Sequence, residues 1–375
     1  MQLPIPSEQW TDFRARLIDG LKQLSSYRVL AGFDGFVDNI HRVVRHKENG
    51  KPIWMETTAD WGRYILDKQG SFSMETILQA TRFGGNMPLM AGALAALGTH
   101  TRAIGALGWP LPHPAFDKWR ADIESISFAS PGSSEAYEFS DGKIMMADMG
   151  ELNNAGWSLL LSRTKAEDLH RFCSEADLLC FLNWSELDAS HDIWEGCWKD
   201  FLEKDSGIGQ KMLFTDLSDF SKRTNEELNR LLSLLTRINQ SAKWILGLNR
   251  NEARLLYSFL KGKDPNGFIE MVDEIYEQLE PWCLVLHEAR SSTCVHQGTM
   301  AEVPSFHLAQ PLTLTGAGDH FSAGFCAGLM MKFSIEECLL LGNSVAGFLV
   351  THGFSPSAEE LVSFLDQKFF KSADA

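Results

Sequence analysis

The chain has 375 residues, 44% hydrophobic and 22% charged, enough to bury a large core in one big α/β domain or two smaller ones. A formal net charge of −15 with no long basic run argues against nucleic acid or an anionic membrane as partner. No apolar run approaches the roughly 18 residues of a membrane span, MQLPIPSEQW is no signal peptide, and the seven scattered cysteines contain no CxxC. The expectation is a cytoplasmic protein with reduced core thiols, and eleven histidines without metal spacing predict no structural zinc.

Residues 8–24 read as a leading helix and 27–33 as a first buried strand. That strand runs into Asp34-Gly35-Phe36-Val37-Asp38-Asn39, where two carboxylates sit at the ligand-binding end of an open α/β sheet, or cap turns in a loop. Residues 41–80 are polar without a clear period and have room for short strands near 52–57. At 83–98, Gly84 and Gly85 precede a helix with Asn86 as expected N-cap and Gly98 as its stop; a strand follows at 101–107. Residues 135–148 read as a hairpin around Ser140-Asp141-Gly142-Lys143 with a type I′ turn, out of pattern for a βα series and therefore a lid or dimerisation flap.

From 163 the alternation is regular. Helices at 163–176, 188–204, 223–237, 251–261 and 267–280 separate strands at 178–183, 211–216, 243–248 and 283–286, with a last strand pair at 293–297 and 300–306 turning at Gln297-Gly298. Apolar strands separated by helices imply a mainly parallel sheet covered on both faces. The polar residues after those strands, including Trp184, Glu186, Asp216, Asp219, Asn249 and Glu252, are then expected to converge on one crevice, with Trp184 as a candidate ring-stacking platform.

The most telling stretch is Thr315-Gly316-Ala317-Gly318-Asp319-His320-Phe321. An apolar helix begins at the glycines, so its N-terminal N–H groups lie almost bare of side chains and favour a phosphate or a developing anion. Asp319 in the first turn is placed to take a proton from an attacking hydroxyl; the same residues also fit a capped core helix. His320 reads as a packing residue.

At this point the sequence resembles the PfkB/ribokinase family of carbohydrate kinases over about residues 27–360. The family's D-T-x-G-A-G-D signature is similar to 313–319, and its G-G-x-x-x-N-x-A-x-x-x-A-x-L-G is similar to 84–98. Its N-x-x-E matches Asn249-Arg250-Asn251-Glu252, and its last helix, with an Asn and a Gly-x-x-Pro-Ser exit, matches 343–357.

The resemblance implies a three-layer ribokinase-like α/β fold over 1–375, with a small β lid inserted at about 41–80 and 131–150. It implies ATP- and Mg²⁺-dependent phosphorylation of a hydroxyl on a sugar or sugar derivative. Asp319 would be the general base and Gly316, Ala317 and Gly318 the anion hole. Asn249 and Glu252 would organise Mg²⁺ and phosphates. Thr315, Asn343, His287 and Glu288 would lie by the nucleotide, and Asp34, Asp38, Gly84, Gly85 and Asn86 by the sugar. A homodimer through the lid is a further expectation. The absence of GxxxxGK[ST] excludes a Walker-type site.

The departures bear on the periphery. Thr313 and Leu314 replace the first Asp and Thr of D-T-x-G-A-G-D, which leaves a monovalent-cation (potassium) role open. Leu89 replaces the sugar-side Asn, with Asn86 as candidate substitute, and the nucleotide-side T-x-G-x-x-G falls on residues 286–291, LHEARS, without either glycine. Two alternatives stand beside the sugar kinase: a kinase of a nucleoside or another small alcohol, and a catalytically silent sugar- or nucleotide-binding protein of the same fold.

Overall fold

A computed structural model describes residues 10–373 except 69, 307, 309 and 310. The start read as free of a leader (1–9), the first two residues of the predicted helix 8–24, position 69 of the lid segment and the ends of the predicted 1–375 span lie outside the described residues.

The strands are β1 (Arg28–Gly32), β2 (Phe36–Glu48), β3 (Lys51–Trp54), β4 (Glu75–Gly84), β5 (His100–Gly105), β6 (Glu124–Ser127), β7 (Gly132–Phe139), β8 (Gly142–Asp148), β9 (Leu178–Phe181), β10 (Met212–Asp216), β11 (Lys243–Asn249), β12 (Cys283–His287), β13 (Ser291–His296) and β14 (Thr299–Pro304). Nine of them form a sheet in the order β14-β13-β12-β11-β10-β9-β1-β5-β6. From β12 to β6 every neighbouring pair is parallel; the β12–β13 and β13–β14 pairs at the edge are antiparallel, so β13 alone of the nine runs the other way.

Alternate strand residues feed two cores. Leu30, Leu179, Phe181, Leu213, Leu246 and Leu284 face one, with helices Ala166–Glu175, Asn225–Asn239 and Arg250–Lys261. Val29, Ala31, Leu178, Cys180, Phe214, Ile245 and Val285 face the other, with helices Asn86–Ala96, Ala317–Met330 and Ile335–His352. This is the three-layer arrangement expected of strands buried on both faces. Because β1 pairs with β5 on one side and β9 on the other, the order in which the chain adds strands reverses there, and the carboxyl ends of β1 and β9 open a crevice.

Residues 36–84 and 132–148 build a second, five-stranded sheet, order β3-β2-β7-β8 with β4 also on β2. Of the short strands expected within 41–80, the one near 52–57 is present as β3, Lys51–Trp54, but it lies between a 13-residue β2 and a 10-residue β4, with helix Thr58–Lys68 before the latter. No period shows in the sequence because this sheet buries little on either face; its own core is only Val43, Met55 and Trp61. The hairpin is present, but its two-residue loop is Ser140-Asp141, since Phe139 pairs with Gly142, and neither has positive φ, so the turn is not type I′. Asp141 instead caps the lid helix, accepting from Thr58 N–H at 2.8 Å and Thr58 Oγ1 at 3.0 Å. Left-handed residues at the turn occur at Gln297-Gly298, φ 50° and 72°, joining β13 to β14.

Helix Ala317–Met330 is held against Ile335–His352 by missing side chains. A Cβ on Gly324 would stand 2.7 Å from the Leu341 carbonyl oxygen, and one on Gly328 2.9 Å from Cys338 Cα. Close backbone approach fixes this helix, and hence its N-terminus, against the layer beneath it.

Candidate active site

The helix tip is as bare as its sequence implies. Gly316, φ 81°, is the N-cap without a side-chain acceptor. The Gly318 N–H donates to no protein group among the described residues. His320, buried, braces the turn: its Nδ1 lies 2.8 Å from the Gly316 carbonyl and its Nε2 2.7 Å from Ser355 Oγ. The carbonyl can only accept, so Nδ1 carries the hydrogen and the Ser355 hydroxyl donates to Nε2. Burial lowers the His320 pKa to about 4, which keeps the ring neutral and suits the packing role expected of it.

Asp319 is partly exposed, and Asp34 and Asp216, which follow and end β1 and β10, act on its charge. Burial by surrounding protein raises its pKa well above the usual carboxylate range, and the charges of Asp216 and Asp34, then Glu252, add to the effect. Burial likewise raises Asp34 and Asp216 to about 6, and Glu252 to about 8 with help from the Asp216 charge. Four carboxyls therefore share one crevice with an excess of negative charge.

Asn86 is not the N-cap of its helix. Gly85, φ 97° and ψ 151°, holds that position, and the cap is supplied from 52 residues away: Asp34 accepts from Asn86 N–H at 2.8 Å and Met87 N–H at 2.7 Å. Asn183 Nδ2 donates to the same carboxylate at 2.7 Å, so Asp34, fully buried, has three protein donors. Its geometry fixes the Gly84-Gly85 turn. A Cβ on Gly84 would stand 2.4 Å from Asp38 Oδ2, and one on Gly85 2.7 Å from Asp34 Oδ2. Gly85→Ala is therefore expected to lower stability by about 1–3 kcal/mol, the usual cost of a glycine-only conformation, measured by denaturant unfolding; unchanged stability would show the turn to be free to relax.

A cleft of about 830 Å³ lies beside the tip, lined among others by Asn249, His287, Glu288, Ala317, Gly318 and Asn343. Asn249 and Glu252 form a capping box at the start of helix Arg250–Lys261, each side chain accepting from the other's N–H at 2.9 Å. Asn343 ties helix Ile335–His352 to β14, donating to the Val303 and Pro304 carbonyls and accepting from Ser305 Oγ at 3.1 Å. His287 lies in register with Asn249, and its ring would stand 2.9 Å from a Cβ on Gly318. Burial lowers its pKa to about 4.

The LHEARS turn is closed on itself, Glu288 N–H to the Ser291 carbonyl at 2.9 Å, with the Arg250 guanidinium 3.4 Å from Glu288. Thr315 is exposed at the tip, and Thr313 Oγ1 accepts its N–H at 3.3 Å. Leu89, at the family's Asn position, packs on Gly316.

Trp184 is no stacking platform: it is buried, with the Arg223 guanidinium 4.9 Å from its ring centre. Asp219 caps a short helix through Ser221 N–H, and Glu186 pairs with Lys222. Sequence reasoning gave Asn183 no role of its own beyond its place at a strand end, and gave Lys143 none beyond its place in the hairpin turn. Lys143 reaches Thr315 across 172 residues of sequence. Only the period-two register of the hairpin, which puts residue 143 on the face of Ser134 and Asp38, pointed that way.

Glu252 and Asp216 show the charge excess that a divalent cation relieves. No group of three or more His, Cys, Asp or Glu side chains among the described residues is arranged to hold one unaided. The charge excess of these oxygen donors suits Mg²⁺, which keeps waters and phosphate oxygens as further ligands. No described helix is long and apolar enough to cross a membrane.

The sequence profile of the prokaryotic ketohexokinase family matches residues 18–368. A ketohexokinase of Haloferax volcanii is 26% identical over 341 residues, covering 90% of each chain. Solved structures with the same fold include a ribokinase of Thermotoga maritima (TM-score 0.61, 15% identity, 91% of this chain and 99% of that one) and an adenosine kinase of Sinorhizobium meliloti (0.63, 19%, 91% and 99%). A ribokinase of Arabidopsis thaliana complexed with ribose and ATP also matches (0.61, 17%, 90% and 98%). The alternating layers, the bare helix tip and the profile spanning nearly the whole chain agree: the protein belongs to the prokaryotic ketohexokinase family, a group of PfkB-type sugar kinases on the ribokinase fold.

Proposed function

We propose that this chain transfers the γ-phosphoryl group of Mg·ATP to a hydroxyl of a ketohexose. The observation that carries the reading is the Gly318 N–H, which has no protein acceptor among the described residues, beside Asp319 at a crevice lined by carboxyls. Asp319 takes the proton of the sugar hydroxyl as its oxygen bonds to phosphorus and the bond to the β-phosphate oxygen breaks, releasing ADP. Gly316, Ala317 and Gly318 present N–H groups to the moving phosphoryl.

Asn249 and Glu252 would hold Mg²⁺ through its waters, and the ion supplies charge neutralisation on the phosphates. The 830 Å³ cleft between His287, Glu288 and Asn343 takes the nucleoside end, with Thr315 at its phosphate end. Asp38, Gly84, Gly85 and Asn86 border the sugar, while Asp34 acts behind them by shaping the turn. The second sheet is the lid of a single kinase unit. Leu78 and Met146, 53% and 54% exposed on that sheet, favour pairing of two copies through it.

The test is ADP release with Mg·ATP across ketohexoses, aldoses and nucleosides, with and without potassium, on protein sized by chromatography. Turnover highest with a ketohexose and elution as a pair are expected. Nucleoside turnover would move the chain to the small-alcohol alternative, and sugar binding without turnover to the silent one. With Thr313 where the family has Asp, potassium is expected to change the rate little.

A further inference from the structure

We propose that Lys143, on the lid hairpin, is a further catalytic residue that places its ammonium on the transferring phosphoryl group when the lid covers the crevice. The inference rests on the kinase reading above. Its evidence is a juxtaposition of three segments far apart in sequence. Lys143 Nζ donates to Thr315 Oγ1, the residue before the anion-hole glycine. The register Lys143↔Glu138, Ala147↔Ser134 and Ser134↔Asp38 puts residue 143 on the same lid face as Ser134 and Asp38. Of the charges that act on Asp38, Lys143 opposes the effect of burial. The ammonium thus stands between the sugar-side carboxylate and the bare helix tip.

Chemistry gives that position a use. The crevice holds Asp34, Asp38, Asp216, Glu252 and Asp319, and a nucleotide brings further negative charge to it. The helix tip offers only neutral N–H donors. An ammonium has three donors, and Thr315 uses one, which leaves two for phosphoryl oxygens. As the bond to the β-phosphate oxygen breaks and the bond to the sugar oxygen forms, the phosphoryl moves from the cleft side toward the sugar, and so toward Lys143. A donor met late in that path stabilises the transition state and the sugar-phosphate product more than the bound substrates. Arg250, 67% exposed, pairs with Glu288 on the nucleotide side. It is not placed to do the same work.

The experiment compares wild type with Lys143→Ala, Lys143→Gln and Lys143→Arg in steady-state sugar phosphorylation, with thermal melts alongside. The first two are expected to lower kcat about 10- to 100-fold, to leave KM for the sugar within about threefold, and to weaken inhibition by the sugar-phosphate product. Arg should restore most of the rate. Melting should be unchanged, because Lys143 is exposed and packs into no core. A kcat within twofold of wild type in Ala and Gln, or a loss confined to sugar KM, overturns the proposal. A wild type that phosphorylates no sugar overturns the kinase reading itself, which this comparison separates from the role of Lys143.

Discussion

Asp319→Asn is expected to lower kcat by about 10²- to 10⁴-fold while the protein folds as before. The side chains have nearly the same shape, so the helix start and the Gly318 N–H keep their places. What is lost is the carboxylate proposed to take the hydroxyl proton beside the anion hole. KM for both substrates should move little, because the change touches proton transfer and not the binding surfaces. The same variant removes one charge from a crowded set of carboxyls, since Asp34, Asp216 and Glu252 all act on Asp319. Its thermal stability near pH 8 should therefore equal or exceed that of wild type. A variant with full kcat would remove Asp319 from the chemistry.

The second large effect is on stability against pH. Asp34 and Asp216 rise from an ordinary 3.8 to about 6, and Glu252 from 4.5 to about 8, chiefly through burial, with Asp319 raised as well. Each binds its proton more tightly folded than unfolded. The folded chain therefore holds more protons between about pH 4 and pH 8, and stability falls as pH rises through that window. Carboxylates held low by arginines, such as Glu124 by Arg171 and Glu175 by Arg102, act the other way below about pH 4.5. The ligand-free protein should melt highest near pH 5 and progressively lower toward pH 8, and Mg·ATP should recover much of the loss at pH 8. Glu252→Gln, which keeps an amide able to complete the capping box, should flatten the slope most. A melting temperature constant from pH 5 to 8 would show that the crevice carboxyls are better solvated than their packing indicates.

Much of this architecture is legible in the sequence because parallel strands buried on both faces are written as unbroken apolar runs. LLCF is β9 and LVL the middle of β12, and their neighbours follow from alternation. The helix tip and the Asn249–Glu252 box are local patterns within four residues of chain, so they too can be read directly. The lid is different. β2 and β4 expose polar groups on both sides, and nothing in a period-two pattern marks them. Long-range partners are equally silent: the cap on helix Asn86–Ala96 comes from Asp34, and the lid helix is capped by Asp141 across 83 residues. Trp184 shows the converse error, a strand-end aromatic that the loop folds inward beneath Arg223.

The interlock of Gly324 and Gly328 with the neighbouring helix has an evolutionary corollary. The helix tip is cast into a layer that tolerates almost no drift, while the second sheet, proposed above as the lid over the acceptor, has little interior of its own. On that reading, new acceptor preferences are expected to arise largely by rewriting that sheet with Lys143 kept. Exchange of residues 36–84 and 132–148 between relatives is the natural route to altered sugar choice.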